Sequence, residues 1–305
     1  MASVVNPWRT LRESVLLPAT AALLPWSAGF RLLQRYSRRA NLYREVCEAA
    51  LAGASTIGGI ADPLAWKRRH LLIRLVDHCD LFLVRTRSRR WLRRFVDIDG
   101  EWPSSGPFIA MTFHWGAGLW ALAQLRASGR RARFVSARIH SGAFHGDRVA
   151  HAYARARNRT VERAGGGPVI YTGGATSIIR DALRAGDVVV ALYDLPADNT
   201  HSTIRTVVCD RAVRLPAGLA RVAVEEGAAV VPFSMGLDGA SGRRKLRIEP
   251  AFRPVDAQEF ADRLGRSLTR LISEDSAAWH FSAFAPQFFA SGQPAPGEVV
   301  RGPGA

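Results

Sequence analysis

The chain has 305 residues, 48% of them hydrophobic, enough for one large domain or two small ones with a sizeable core. Forty-two Lys and Arg stand against 26 Asp and Glu, a formal net charge of +16, and only Lys67 and Lys245 are lysines. Such a balance draws polyanions: nucleic acid, an anionic membrane surface, a phosphorylated substrate or an acidic carrier protein. Three scattered cysteines (Cys47, Cys79, Cys209) with no C-x-x-C pair fit neither a disulfide framework nor a zinc site. They read as buried free thiols in a reducing compartment.

In chain order, the first feature is the uncharged run Ser14–Phe30. It spans 17 residues and contains Pro18 and Pro25, whereas a spanning helix needs about 20 apolar residues. No small-residue cleavage site follows it before Arg31, Arg35, Arg38 and Arg39, so a signal peptide is not expected. The expectation is a helix lying in the bilayer interface, flanked by Trp8, Trp26 and the arginines, within an N-terminal helical membrane-associating region over residues 1–95. The alternative is a helix packed on the protein's own core. Residues 40–95 read as helices. Leu42, Val46, Ala49 and Ala50 share a face, Gly53 to Gly59 interrupts, and a second periodic stretch covers Leu64–Leu83. Arg85, Arg87, Arg89, Arg90, Arg93 and Arg94, interleaved with Trp91 and Phe95, suit a solvated helix face, a phospholipid surface or a nucleic acid equally.

From residue 107 strands and helices alternate. Pro107–Phe113, Arg133–Ala137, Asp187–Tyr193, Thr203–Cys209, Ala229–Met235 and Lys245–Ile248 read as strands. Gly116–Ser128, Asp147–Arg159, Ser177–Arg184, Pro216–Glu226 and Asp256–Glu274 read as helices. This order predicts an α/β domain over residues 96–290, a sheet covered by helices on both faces, followed by a Gly/Pro-rich flexible tail at 291–305.

His114 follows the first buried strand and precedes a helix, a corner where α/β folds gather ligands, and Gly116 and Gly118 allow close backbone approach. A histidine there can deprotonate an alcohol or amine near neutral pH. Other candidates carry less. Gly165–Gly167 and Thr172–Gly174 are glycine turns without the lysine of a phosphate-binding loop. His140, His145 and His151 lack the partners of a metal site, and no G-x-S-x-G elbow marks a serine hydrolase.

The stretch TFHWGAGLW at 112–120 resembles the first motif of the lipid A late acyltransferases, a family of the lysophospholipid acyltransferase superfamily. Further blocks are similar in order and spacing over about residues 95–285: Arg138 after the next strand, ALRAGDVVVALYD ending on Asp194, RLPAGLARVAVEEGAAVVPF, and RIEP followed by a helix and Trp279. The resemblance implies a mixed central sheet flanked by helices, of the glycerolipid acyltransferase kind. It implies His114 as general base, with a carboxylate that orients the imidazole, and Arg138 as a substrate-binding arginine. It also implies an acyl-carrier-protein or coenzyme A thioester as donor and a hydroxyl or amine acceptor at the cytoplasmic side of the inner membrane, with no cofactor, no metal and no nucleic acid. Trp115, Gly116 and Arg180 are further substrate-binding candidates. Two departures stand out. The family's acid falls on Leu119, and the pattern after Trp279 is His280, Phe281, Ser282, Ala283 in place of arginines. Asp194 and Asp198 are candidate substitutes for the acid. If neither serves, the chain is a catalytically weakened homologue that binds an acyl chain or a carrier protein.

Overall fold

The computed structural model describes residues 7–39, 41–195 and 202–291. Its centre is a seven-stranded sheet with helices on both sides. In chain order the strands are β1 (Val96–Asp99), β2 (Phe108–Thr112), β3 (Ala132–Ser136), β4 (Ile170–Tyr171) and β5 (Val188–Leu192). A hairpin of β6 (Thr203–Val208) and β7 (Arg211–Pro216) comes next, then β8 (Ala229–Leu237) and β9 (Arg244–Ile248). The sheet order is β1-β9-β8-β2-β5-β3-β4. Only β8 against β9 is antiparallel, so the sheet is mixed. β2 lies in the middle and all five of its residues are buried. Continuous apolar runs of this kind are what a strand covered on both faces requires.

The helices are α1 (Pro7–Leu11), α2 (Leu17–Leu23), α3 (Trp26–Ser37), α4 (Arg44–Ser55), α5 (Pro63–Thr86), α6 (Arg89–Arg94), α7 (Leu119–Ala127), α8 (Arg148–Gly165), α9 (Ala175–Arg184), α10 (Gly218–Glu225), α11 (Ala257–Asp275) and α12 (Ala285–Ala290). Side-chain caps set several starts: Asp62 accepts from Leu64 and Ala65 N–H ahead of α5, and Asp147 from Val149 and Ala150 N–H ahead of α8. α8 runs past Arg159 because Thr160, Val161 and Ala164 continue its buried side.

The expected strand at Thr203–Cys209 exists but lies outside the central sheet. It pairs with β7 through a two-residue turn in which Cys209 and Asp210 both have positive φ (+50° and +58°), the geometry that matches strand twist in tight hairpins. The sequence hides β7 because RAVRLP carries two arginines and the turn lacks glycine. β1 and β4 are also additions, the first mostly exposed and the second two residues long.

The N-terminal run folds onto the protein. Leu17, Ala21, Ala22, Trp26, Phe30 and Leu33 are buried, while Leu16 and Leu23 face outward at 52% and 75% exposure. Gly29 lets α3 close on α2, since a Cβ there would meet Ala21 O at 2.2 Å. Among the described residues no helix is long and apolar enough to cross a membrane. One apolar cluster extends from Leu17 to Phe289, so the boundary near residue 95 marks a change of secondary structure while the core continues across it. Deep in that core the Arg244 guanidinium pairs with Asp80 and lies between the rings of Trp26 and Trp120, 4.4 and 4.2 Å from their centroids.

Candidate active site

Strand register builds the site. β2 and β5 are parallel neighbours with Thr112 opposite Leu192. His114 and Asp194 each lie two residues beyond that pair, so both leave the same sheet edge side by side. Asp194 is fully buried and accepts His114 Nδ1–H at 2.9 Å. Its two oxygens also take the His114 backbone N–H, at 3.0 and 2.9 Å, and Oδ2 takes Trp279 Nε1–H at 2.7 Å. Burial pushes the Asp194 carboxyl up, but its interaction with the facing His114 and the N–H donors from His114 and Trp279 outweigh it and hold the group below the usual carboxylate range. An ionised carboxylate only accepts, so Nδ1 carries the hydrogen and Nε2 is left as the basic nitrogen. This is the donor set of an orienting carboxylate beneath a general base.

The C-terminal segment clasps this corner. Gly116 N–H donates to Ala278 O (2.9 Å), His280 N–H to His114 O (2.8 Å) and His280 Nε2–H to Gly116 O (2.7 Å). The Phe281 ring stacks on the His114 imidazole with centroids 3.7 Å apart. Gly116 has φ +59°, and a Cβ there would lie 1.9 Å from Met235 O, so close backbone approach fixes the loop between His114 and α7.

A cavity of about 260 Å³ opens beside His114. Leu119, Leu122, Phe134, Val161 and Phe233 form its apolar wall, and Asp77, Arg157, Asn158 and His280 form its polar end. Arg157 pairs with Asp77 at 2.9 Å. Burial pushes Asp77 up, yet the charge of Arg157 leads the groups that bring it below the ordinary range. Burial also lowers the His280 imidazole, which favours its neutral form.

Four of the expected residues therefore meet: His114, Asp194, Trp115 and Gly116 all form or line this corner. Leu119, at the position of the family's acid, is the first residue of α7 and part of the apolar wall. Arg138 lines an adjoining cavity, its guanidinium 5.4 Å from the Tyr171 ring centroid. Arg180 lies on α9, where it forms ion pairs with Glu225 and Glu226 at the end of α10, and it is not among the residues that line the His114 cavity. Asp198 lies outside the described residues. Trp279, His280, Phe281 and the Asp77–Arg157 pair were not expected as site members. Trp279 and its two followers had a signal in the C-terminal pattern, whereas Asp77 and Arg157 meet across 80 positions with no local mark. No family model matches the chain, and a comparison with curated proteins finds no match.

Proposed function

We propose that this protein is an acyltransferase of the lipid A late acyltransferase kind, using His114 as general base and Asp194 as the carboxylate that orients it. The observation that carries the reading is the bond from His114 Nδ1 to Asp194, because it supplies from β5 the acid that position 119 lacks. In this mechanism Nε2 takes the proton of an acceptor hydroxyl or amine. The freed oxygen or nitrogen attacks the thioester carbonyl, the thiolate leaves, and the imidazolium returns the proton to it. The apolar wall at Leu119 and Leu122 suits the acyl chain, and the donor is an acyl-carrier-protein or coenzyme A thioester. Outward-facing Trp8, Leu16, Leu23 and Leu24, with arginines nearby, support peripheral attachment to an anionic membrane on the cytoplasmic side of the inner membrane. That placement gives access to a lipid-like acceptor.

The test is acyl transfer from radiolabelled acyl-carrier protein into a total membrane extract, comparing wild type, His114→Ala and Asp194→Asn. A labelled lipid made by wild type and lost in both variants supports the reading. A folded wild-type protein that transfers none of several chain lengths, yet still binds the carrier, turns the assignment toward a non-catalytic acyl-binding partner.

A further inference from the structure

Arginines crowd the end of α5 and the short helix α6, and the fold divides them by role. Arg87 works inside the protein. Its guanidinium donates to Ala22 O at 2.6 Å and to Leu24 O at 3.1 Å, and lies 5.4 Å from the Trp91 ring centroid. Arg85, Arg89, Arg90, Arg93 and Arg94 are exposed. The aromatic residues interleaved with them turn inward: Trp91 packs on Trp26, Phe95 and Trp120, with centroids 6.5, 4.6 and 6.0 Å apart. The Arg87 bonds bring a second element to the cluster. Leu24 is extended ahead of Pro25, as a residue before proline prefers to be, so α2 ends at Leu23 and α3 starts at Trp26. Leu23 and Leu24 are left exposed at the tip of this turn. Leu16, seven residues before Leu23, faces out from the same side of the helix.

An apolar tip bordered by guanidiniums has the chemistry of a bilayer interface, where leucine enters the acyl layer and arginine stays with the phosphates. We propose that Leu23, Leu24 and the exposed arginines of α5 and α6 form one docking surface for a membrane rich in anionic phospholipid, with Arg87 fixing the tip against the cluster. The proposal rests on the peripheral-attachment part of the proposed function and not on acyl transfer at His114. A nucleic acid would use the same charges, but a single strand also gains from exposed rings on which its bases stack. Here Trp91 and Phe95 are packed against the core, and the side chains that border the arginines at the tip are aliphatic. The net charge of +16 adds long-range attraction to an anionic surface.

The experiment measures sedimentation of the full chain with vesicles of phosphatidylcholine alone and of phosphatidylcholine mixed equally with phosphatidylglycerol. Wild type is expected to bind the mixed vesicles at least about ten-fold more tightly and to lose that preference in high salt. Arg89→Gln/Arg90→Gln/Arg93→Gln should weaken binding to the mixed vesicles about 100-fold, since each cation near an anionic surface contributes about five-fold. Arg221→Gln/Arg253→Gln/Arg266→Gln removes the same charge from exposed positions elsewhere and should retain most of the affinity. Leu23→Ser/Leu24→Ser should weaken vesicle binding about ten-fold or more and leave association with a short DNA duplex unchanged. All the substituted side chains are exposed, so each variant should melt like wild type. Vesicle binding that survives loss of the cluster arginines or of the leucines overturns the proposal and leaves attachment to another face. An equal loss in both arginine triples reduces the effect to overall charge and overturns it as well. A duplex held more tightly than the mixed vesicles, through Arg89, Arg90 and Arg93, would assign the cluster to nucleic acid instead. Failure of wild type to bind either vesicle would remove the proposed attachment together with this surface. A protein that docks as described but transfers no acyl group would count against the acyltransferase reading alone.

Discussion

Two aspartates, Asp194 and Asp80, are both fully buried and both face a cationic or basic partner, yet their carboxyls move in opposite directions. Asp194 receives N–H donors from the His114 backbone, the His114 ring and the Trp279 indole, and stays below the usual range. Among the described residues Asp80 takes its hydrogen bonds from the Arg244 guanidinium, itself set against two tryptophans, and burial pushes the carboxyl up to about 7 against the pull of that cation. Burial by itself therefore does not make a catalytic acid. What separates the two is convergent donors and an adjacent cavity: His114 lines open space, and the Asp80–Arg244 pair belongs to the core.

The largest effect should fall on chemistry at the first aspartate and on stability at the second. Asp194→Asn is expected to lower acyl transfer by about 10³–10⁴-fold, because an amide can donate to Nδ1 and stabilise the wrong tautomer. The purified variant should still unfold cooperatively. Asp80→Asn should leave turnover near wild type. If steady-state rates instead fell equally in both variants, the division between a working and a structural carboxylate would collapse.

The buried pair itself can be broken from the other side. Arg244→Met strands Asp80 without its cation and should cost about 3–5 kcal/mol in denaturant unfolding, and adding Asp80→Asn should recover a good part of it. The pH dependences also have opposite signs. The Asp194 carboxyl is depressed in the folded protein, so its contribution is present above the unfolded value and disappears as pH falls through the folded one. The Asp80 carboxyl is raised, so the folded state holds its proton longer and its contribution weakens as pH rises from about 4 to about 7. Melting curves of wild type against Asp80→Asn over that window should diverge with rising pH, in favour of the variant. A parallel pair of curves would contradict the raised carboxyl.

Gly116 is the next test, because it connects backbone geometry to the dyad. Alanine there meets both a positive φ and a carbonyl 1.9 Å from its Cβ, so Met235 or the 114–118 loop must shift. We expect about 1–3 kcal/mol lost in stability and a larger proportional loss in turnover, since Ala278 and His280 are bonded to the same residue. Normal stability with normal turnover would mean the loop tolerates displacement and the clasp does not position His114.

What was legible in the sequence follows the range of the forces involved. β2, β5 and β8 show themselves because strands covered on both faces must be apolar throughout. His114 and Asp194 were readable as ends of two such strands, though their direct contact needed the register. β1 and β7 are hidden because exposed positions in the first and partly exposed ones in the second leave charges among their residues. The apolar run at the N-terminus reads the same whether its partner is lipid or Leu71 and Ile73 of the protein's own core, since apolarity does not name the partner. Phe281 over His114 is a contact between the two ends of the domain, and no local pattern marks it. Arg180 shows the same limit from the other side: a cation on a helix is visible in sequence, but the acids paired with it, 45 and 46 positions on, are not.

That last residue gives the smallest expected effect and a useful control on the rest. Arg180 is half-exposed and its partners Glu225 and Glu226 lie at a helix end, so Arg180→Gln should cost no more than about 1 kcal/mol, as exposed pairs do. Acyl transfer should be unchanged in both rate and substrate affinity, whereas a substrate-binding arginine would raise the apparent KM. A several-fold rise in KM with unaltered melting would place Arg180 back among the binding residues. Its ion pairs with Glu225 and Glu226 would then have to open for the guanidinium to reach substrate.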